Sequence, residues 1–75
     1  MKTCMIRLST IQDVRTFVDI VTAANTDVDL SSGRYVVDAK SIMGLFSLDL
    51  LKPIKLTAHD EDAAMFERLK PFIVE

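Results

Sequence analysis

The stretch that decides the fold lies in the middle of the chain and reads Lys40-Ser41-Ile42-Met43-Gly44-Leu45-Phe46-Ser47-Leu48. Ser41 opens a short apolar segment, and a serine oxygen can accept a hydrogen bond from the unpaired amides of a first helical turn. Directly before it, residues 34–39 are strand-like, with Tyr35, Val37 and Ala39 on one side. The pattern therefore predicts a strand followed at once by a short helix.

Upstream of this stretch the sequence predicts a strand, a helix and a second strand. Residues 2–8 alternate as a half-buried strand does, and Ser9 or Thr10 can cap the helix that follows through about residue 24. Val28 and Leu30 then alternate with aspartates before a turn at residues 31–33. The expected apolar stripe of the helix is Ile11, Val14, Phe17, Val18 and Val21.

Downstream, residues 54–59 predict a fourth strand, with Ile54, Leu56 and Ala58 inward. The acidic run at residues 60–62 suits the first turn of a third helix, whose apolar face is Met65, Phe66 and Leu69 and which Pro71 ends or kinks. The helix that starts at Ser41 can cover the sheet with Ile42, Leu45, Phe46 and Leu48.

The element order is therefore β-α-β-β-α-β-α, and its helices can cover only one face of a four-stranded sheet. We expect an α+β fold, an open-faced sandwich of two layers, in one domain that spans residues 1–75. Nearly half of the residues are apolar, which favours an ordered domain over a disordered tail.

Charge and hydropathy exclude several classes of function. The net charge of −2 comes from nine basic and eleven acidic residues spread along the chain, so no nucleic-acid partner is expected. Apolar runs are too short for a membrane helix, and charge interrupts the first residues too early for a signal peptide. We expect a cytoplasmic protein in which the single cysteine, Cys4, is a core residue of the first strand.

No catalytic motif is visible. A glycine-rich phosphate loop, a metal-ligand spacing of cysteines and histidines and a nucleophile–base pair are all absent from the sequence, so we expect no enzyme, metal or cofactor. The acidic run at residues 60–62 fits a helix start better than a metal site. His59 is the one histidine, and we expect a solvated residue at a strand end rather than a relocated phosphoryl acceptor.

The element order and the sequence of the segment Gly33–Gly44 are together similar to those of the histidine-containing phosphocarrier (HPr) family. The resemblance extends over nearly the whole chain. The resemblance implies an antiparallel sheet in the order 1-4-2-3 with three helices on one face. HPr proteins relay a phosphoryl group from Enzyme I to sugar-permease A domains on a histidine at the start of helix one, aided by a nearby arginine.

The relay residues of the family are absent here. Matched without a gap back from Ser41, the histidine position falls on Thr10 and the arginine position on Gln12. A phosphoimidazole passes its group onward, whereas a threonine phosphate is a stable ester of low transfer potential. We therefore expect no catalytic residue.

The regulatory serine of the family matches Ser41, and Ile42, Met43 and Phe46 match its apolar partner-binding patch. Phe46 fits either that exposed patch or the core. The resemblance implies protein partners such as Enzyme I, permease A domains, a serine kinase or a transcriptional regulator. The favoured interpretation is a regulatory or protein-binding module without the relay; the alternatives are a working phosphocarrier and a purely structural module.

The position of Ser41 at a helix start generates the first prediction. Ser41→Ala should lower the free energy of unfolding by about 0.5–2 kcal/mol, because the cap is lost. Chemical denaturation of both proteins measures the difference, and an unchanged midpoint would contradict the assignment.

Overall fold

The computed structural model of the chain describes residues 1–50, 52–60 and 62–74. The order of helices and strands agrees with the sequence prediction, and a 3₁₀ turn at Lys70–Phe72 follows the last helix. The elements are β1 (Lys2–Ile6), α1 (Ile11–Ala23), β2 (Val28–Ser32), β3 (Tyr35–Asp38), α2 (Ile42–Leu45), β4 (Ile54–Ala58) and α3 (Ala63–Leu69).

The four strands form one antiparallel sheet in the order β1-β4-β2-β3. Leu56 at the middle of β4 lies opposite Cys4 of β1 on one side and opposite Leu30 of β2 on the other. With the helices on one face, this is the expected open-faced α+β sandwich with the strand order 1-4-2-3.

The two faces of the sheet differ as the alternation predicts. Inward residues of β4 and its neighbours are buried, among them Cys4, Ile6, Leu30, Ile54 and Leu56. The register aligns a second column, Thr3, Thr57, Asp29 and Asp38, on the opposite, uncovered face. The core therefore lies between the sheet and the helices.

Helix α1 begins after Thr10, one of the two residues predicted as its cap. Thr10 Oγ1 accepts a hydrogen bond from the Asp13 amide at 3.0 Å, and Asp13 Oδ2 accepts one from the Ser9 amide at the same distance. Val14, Phe17 and Val21 are buried as expected, together with Ile20, and Val18 packs partly buried against the core. Ile11 corrects the prediction, because the first helical residue is 68% exposed rather than part of the buried stripe.

Several predicted ends shift. β3 spans Tyr35–Asp38 rather than residues 34–39, and β4 ends at Ala58 rather than at residue 59. β1 ends at Ile6 rather than Leu8, although Leu8 is buried. α3 begins at Ala63, after the cap in which Asp62 Oδ1 accepts from the Met65 amide at 3.0 Å. Asp60 lies before that turn, and its amide donates to the buried Thr26 Oγ1 at 2.9 Å. Glu61, in the same predicted run, lies outside the described residues.

The C-terminal segment covers one edge of the sheet. The Arg7 amide donates to the Phe72 carbonyl at 2.8 Å, and the Val74 amide donates to the Met5 carbonyl at 3.0 Å. This segment therefore protects the outer side of β1. At the opposite edge, β3 pairs with β2 and with no other strand in the described part of the chain.

His59 follows the last residue of β4, and its side chain meets β2. Its Nε2 lies 2.8 Å from Asp29 Oδ2, and both side chains are partly exposed. The hydrogen bond to Asp29 raises the pKa of His59 above 6.5; burial opposes this, and the charges of Asp29, Asp27 and Asp60 add to it. The imidazolium is thus the form that the fold favours.

We predict that His59 titrates above pH 6.5 in the folded protein and that Asp29→Asn lowers this pKa. A raised pKa in the folded state stabilises the fold fully below the unfolded pKa, and that stability is lost as the pH rises through the folded pKa. An NMR titration of the imidazole measures both values. Asp27→Asn is the matched control and should shift the pKa less, since Asp27 acts through charge alone. A wild-type pKa at or below 6.5 would overturn the assignment.

Candidate functional site

Ser41 lies at the N-cap of α2 with an extended backbone, and its exposed Oγ accepts a hydrogen bond from the Gly44 amide at 3.3 Å. A tight turn from β3 fixes this position. The Ser41 amide donates to the Asp38 carbonyl at 3.0 Å, and the Lys40 amide donates to Asp38 Oδ1 at 2.9 Å. The hydroxyl is therefore presented to solvent on an ordered turn rather than on a long loop.

Gly44 leaves room beside this hydroxyl. A Cβ at Gly44 would lie 3.4 Å from Ser41 Oγ and 3.4 Å from Val37 Cβ. Such a Cβ would make ordinary van der Waals contact with both atoms, so the glycine leaves this side of the serine oxygen open.

The three residues predicted as a partner-binding patch differ in exposure. Met43 is 74% exposed and Phe46 is 47% exposed, whereas Ile42 is half-buried and packs against the core. Leu45 and Leu48 are buried and hold the helix to the sheet. Phe46 thus covers less of the sheet than the sequence pattern indicates, because it lies at the C-cap, where α2 ends.

A surface pocket of about 230 Å³ separates the start of α1 from the end of α2. On one side the lining includes Thr10 and Ile11 at the start of α1, with Arg7 between β1 and α1. On the other side it includes Phe46 at the C-cap of α2 and Leu50 after that helix. The structure thus brings the Thr10 position and Phe46 to one pocket. Sequence reasoning missed Ile11 at this site; its position at the first helical residue was the available signal.

Neither of the two residues that the sequence resemblance matches to the relay carries an imidazole or a guanidinium group. The Thr10 hydroxyl accepts the Asp13 amide, and Gln12 lies exposed in the first turn of α1. His59 lies at the far end of β1, since its neighbour Ala58 pairs with Lys2. Four strand steps of ~3.4 Å, or roughly 14 Å, separate Lys2 from Ile6, after which the chain turns toward α1. His59 is therefore remote from Thr10.

Two further properties concern only the described residues, 1–50, 52–60 and 62–74. No group of three or more histidine, cysteine, aspartate or glutamate side chains among them is arranged to hold a metal ion. No helix there is long and apolar enough to cross a membrane.

No protein-family model and no curated protein matches this sequence. Solved structures do match. HPr-C-His from Thermoanaerobacter tengcongensis superposes with a TM-score of 0.79 at 23% identity, over 95% of this chain and 89% of that one. Phosphocarrier protein HPr from Bacillus anthracis str. Ames superposes with a TM-score of 0.72 at 25% identity, over 97% of this chain and 94% of that one. The chain therefore has the HPr-like fold of the histidine-containing phosphocarrier proteins.

Proposed function

We propose that this chain is a regulatory or protein-binding module with the HPr-like fold and without the histidine relay. The observation that carries the proposal is the contrast between two capping hydroxyls. Thr10 caps α1 where a relay needs an imidazole, whereas Ser41 caps α2 beside the exposed Met43. In this proposal residues 1–75 act as one domain in the cytoplasm, with no catalytic activity or cofactor of its own.

Ser41 is the proposed phosphorylation site, with ATP as the phosphoryl donor and a serine kinase as the enzyme. The Oγ would attack the γ-phosphorus, lose its proton and release ADP. A phosphoserine adds about −1.5 to −2 charges, so the net charge would change from −2 to about −4. The open side of the hydroxyl next to Gly44 supports access to this oxygen.

Phosphorylation at this position changes the surface more than the fold. The Gly44 amide, which now donates to Ser41 Oγ, is close enough to meet phosphate oxygens, and negative charge at a helix start is stabilising. The new charge would lie beside Met43, so a protein that docks on this patch can distinguish the two forms.

The apolar patch of Ile42, Met43 and Phe46 is the proposed docking surface. Met43 and Phe46 supply its exposed area, and Ile42 supports them from the core side. Methionine adapts to different partner surfaces, and an aromatic ring is a common anchor. By resemblance to the family, the candidate partners are Enzyme I, permease A domains, the serine kinase and a transcriptional regulator.

We predict that incubation with ATP and an HPr serine kinase adds one phosphoryl group to the wild-type protein and none to Ser41→Ala. Intact-mass spectrometry measures the product. Ser47→Ala is the matched control, because Ser47 is an exposed neighbouring serine and should leave the modification unchanged. Phosphate on the Ser41→Ala variant would refute the assignment of the site.

The same preparation tests the relay. Incubation with phosphoenolpyruvate and Enzyme I should leave the protein unmodified, since Thr10 cannot hold a labile phosphate. Acid-labile phosphate in that reaction would instead support a working phosphocarrier. No phosphate under either condition would favour a structural module.

We further predict that Met43→Ser slows phosphorylation of Ser41 by the kinase about fivefold at subsaturating protein, because truncation of a docking residue costs about 1 kcal/mol. Initial rates from intact-mass time courses measure the effect. Val74→Ser is the control, since Val74 is another exposed apolar residue but lies beside β1. Equal rates for wild type and Met43→Ser would remove Met43 from the docking surface.

A further inference from the structure

The free edge of β3 presents backbone hydrogen-bonding groups to solvent. The Ala39 amide donates to the Val28 carbonyl at 2.9 Å, so Ala39 and Val28 are a hydrogen-bonded pair at the end of the β2–β3 ladder. Hydrogen-bonded and non-hydrogen-bonded pairs alternate in an antiparallel ladder, so Tyr35 and Val37 also bond to β2. The amide and carbonyl of Val36 therefore point away from the sheet.

Large apolar side chains accompany these groups. Tyr35 is 69% exposed and Val36 is 66% exposed, on opposite faces of the same edge strand. An edge of this kind is a template for pairing with another strand. The edge of β1 differs, because residues 72–74 cover it.

We propose that β3 pairs with β3 of a second copy of this chain, antiparallel, with the two-fold axis at Val36. In this register Val36 meets the partner's Val36, and each exchanges an amide and a carbonyl hydrogen bond with the other. Tyr35 lies opposite the partner's Val37, a pairing of aromatic and β-branched side chains that stabilises sheets. The two four-stranded sheets then form one continuous sheet of eight strands.

Charge complementarity selects a second copy as the occupant. Arg34 lies two residues before Val36 and Asp38 lies two residues after it, so the same axis places Arg34 opposite the partner's Asp38, and this occurs twice. Both residues are exposed, and neither forms an ion pair with the rest of the described chain. An edge with one sign of charge would repel its own copy in this register, whereas this edge attracts it.

The environment of Asp38 strengthens the argument. Within the sheet Asp38 lies opposite Asp29, and like charges placed directly opposite each other are destabilising. Asp29 has His59 as its partner. The Asp38 carboxylate accepts a hydrogen bond from the Lys40 amide and has no cation within salt-bridge distance among the described residues. The partner's Arg34 would supply the countercharge.

The strand is only four residues long, so the interface is small and the dimer is weak and sensitive to salt. Sedimentation velocity over a concentration series at low ionic strength should show reversible dimerisation of the wild-type protein. Arg34→Glu should weaken it about tenfold, because each substitution acts twice in a symmetric pair. Arg15→Glu on the exposed side of α1 is the matched charge control and should dimerise like wild type.

A mixing experiment separates this register from other modes of association. Arg34→Glu and Asp38→Lys should each dimerise poorly alone, because each variant places like charges opposite each other twice. Their mixture should regain dimers, because the mixed dimer has one native pair, Asp38 with Arg34, and one pair of reversed polarity between the two substituted positions. Asp38→Asn replaces Asp38→Lys if circular dichroism shows that the lysine variant does not fold. The asparagine keeps an oxygen for the Lys40 amide and should weaken dimerisation by itself.

A wild-type protein that stays monomeric, or Arg34→Glu that dimerises as well as wild type, would overturn the proposal. Pairing of β3 with an extended peptide by a monomeric chain would overturn it as well.

Discussion

The structure depends on the insertion of β4 between β1 and β2. Strands that are first, second and last along the chain meet there, and Ile54, Leu56 and Ala58 of β4 are fully buried between them and the helices. These strand pairs join residues that are far apart in sequence. The burial of apolar side chains is the main source of the free energy that stabilises them. Once β4 is in place, β1 and β3 become the two edges. The C-terminal segment covers β1, so β3 is the edge that stays unpaired within the described part of the chain.

The three helices start in the same way, with a side-chain oxygen that accepts the amide three residues later. Thr10, Ser41 and Asp62 do this at 3.0, 3.3 and 3.0 Å. The capping hydrogen bond is of the same kind in each helix, yet the three capping side chains differ in the chemistry that they can undergo. Thr10 lines a pocket at the start of α1, Asp62 cannot accept a phosphoryl group as a stable ester, and Ser41 combines a hydroxyl with solvent exposure. The proposed regulatory role thus uses a residue that the fold already needs as a cap.

The two proposed surfaces are joined by one short segment of chain. The Asp38 carbonyl accepts a hydrogen bond from the Ser41 amide, so a tight turn connects the edge strand β3 directly to the start of α2. The β3 edge offers apolar side chains flanked by Arg34 and Asp38, whereas the α2 surface offers Met43 and Phe46. The first surface pairs backbone groups and opposite charges in strand register, whereas the second offers an apolar area for docking. The surfaces therefore suit different kinds of partner, a second copy and a regulatory protein.

Local pattern in the sequence was sufficient for the element order, the cap at Ser41 and the inward residues of β4, and it narrowed the cap of α1 to Ser9 or Thr10. Periodicity and capping depend on neighbours within a few positions. The resemblance to HPr supplied the strand order. Several features were decided only by the tertiary structure: Ile11 is exposed, Phe46 borders a pocket with Thr10, and His59 binds Asp29. Each of these features depends on where a layer of the sandwich ends or on which segments remote in sequence meet. Tertiary packing, rather than local sequence, decides both.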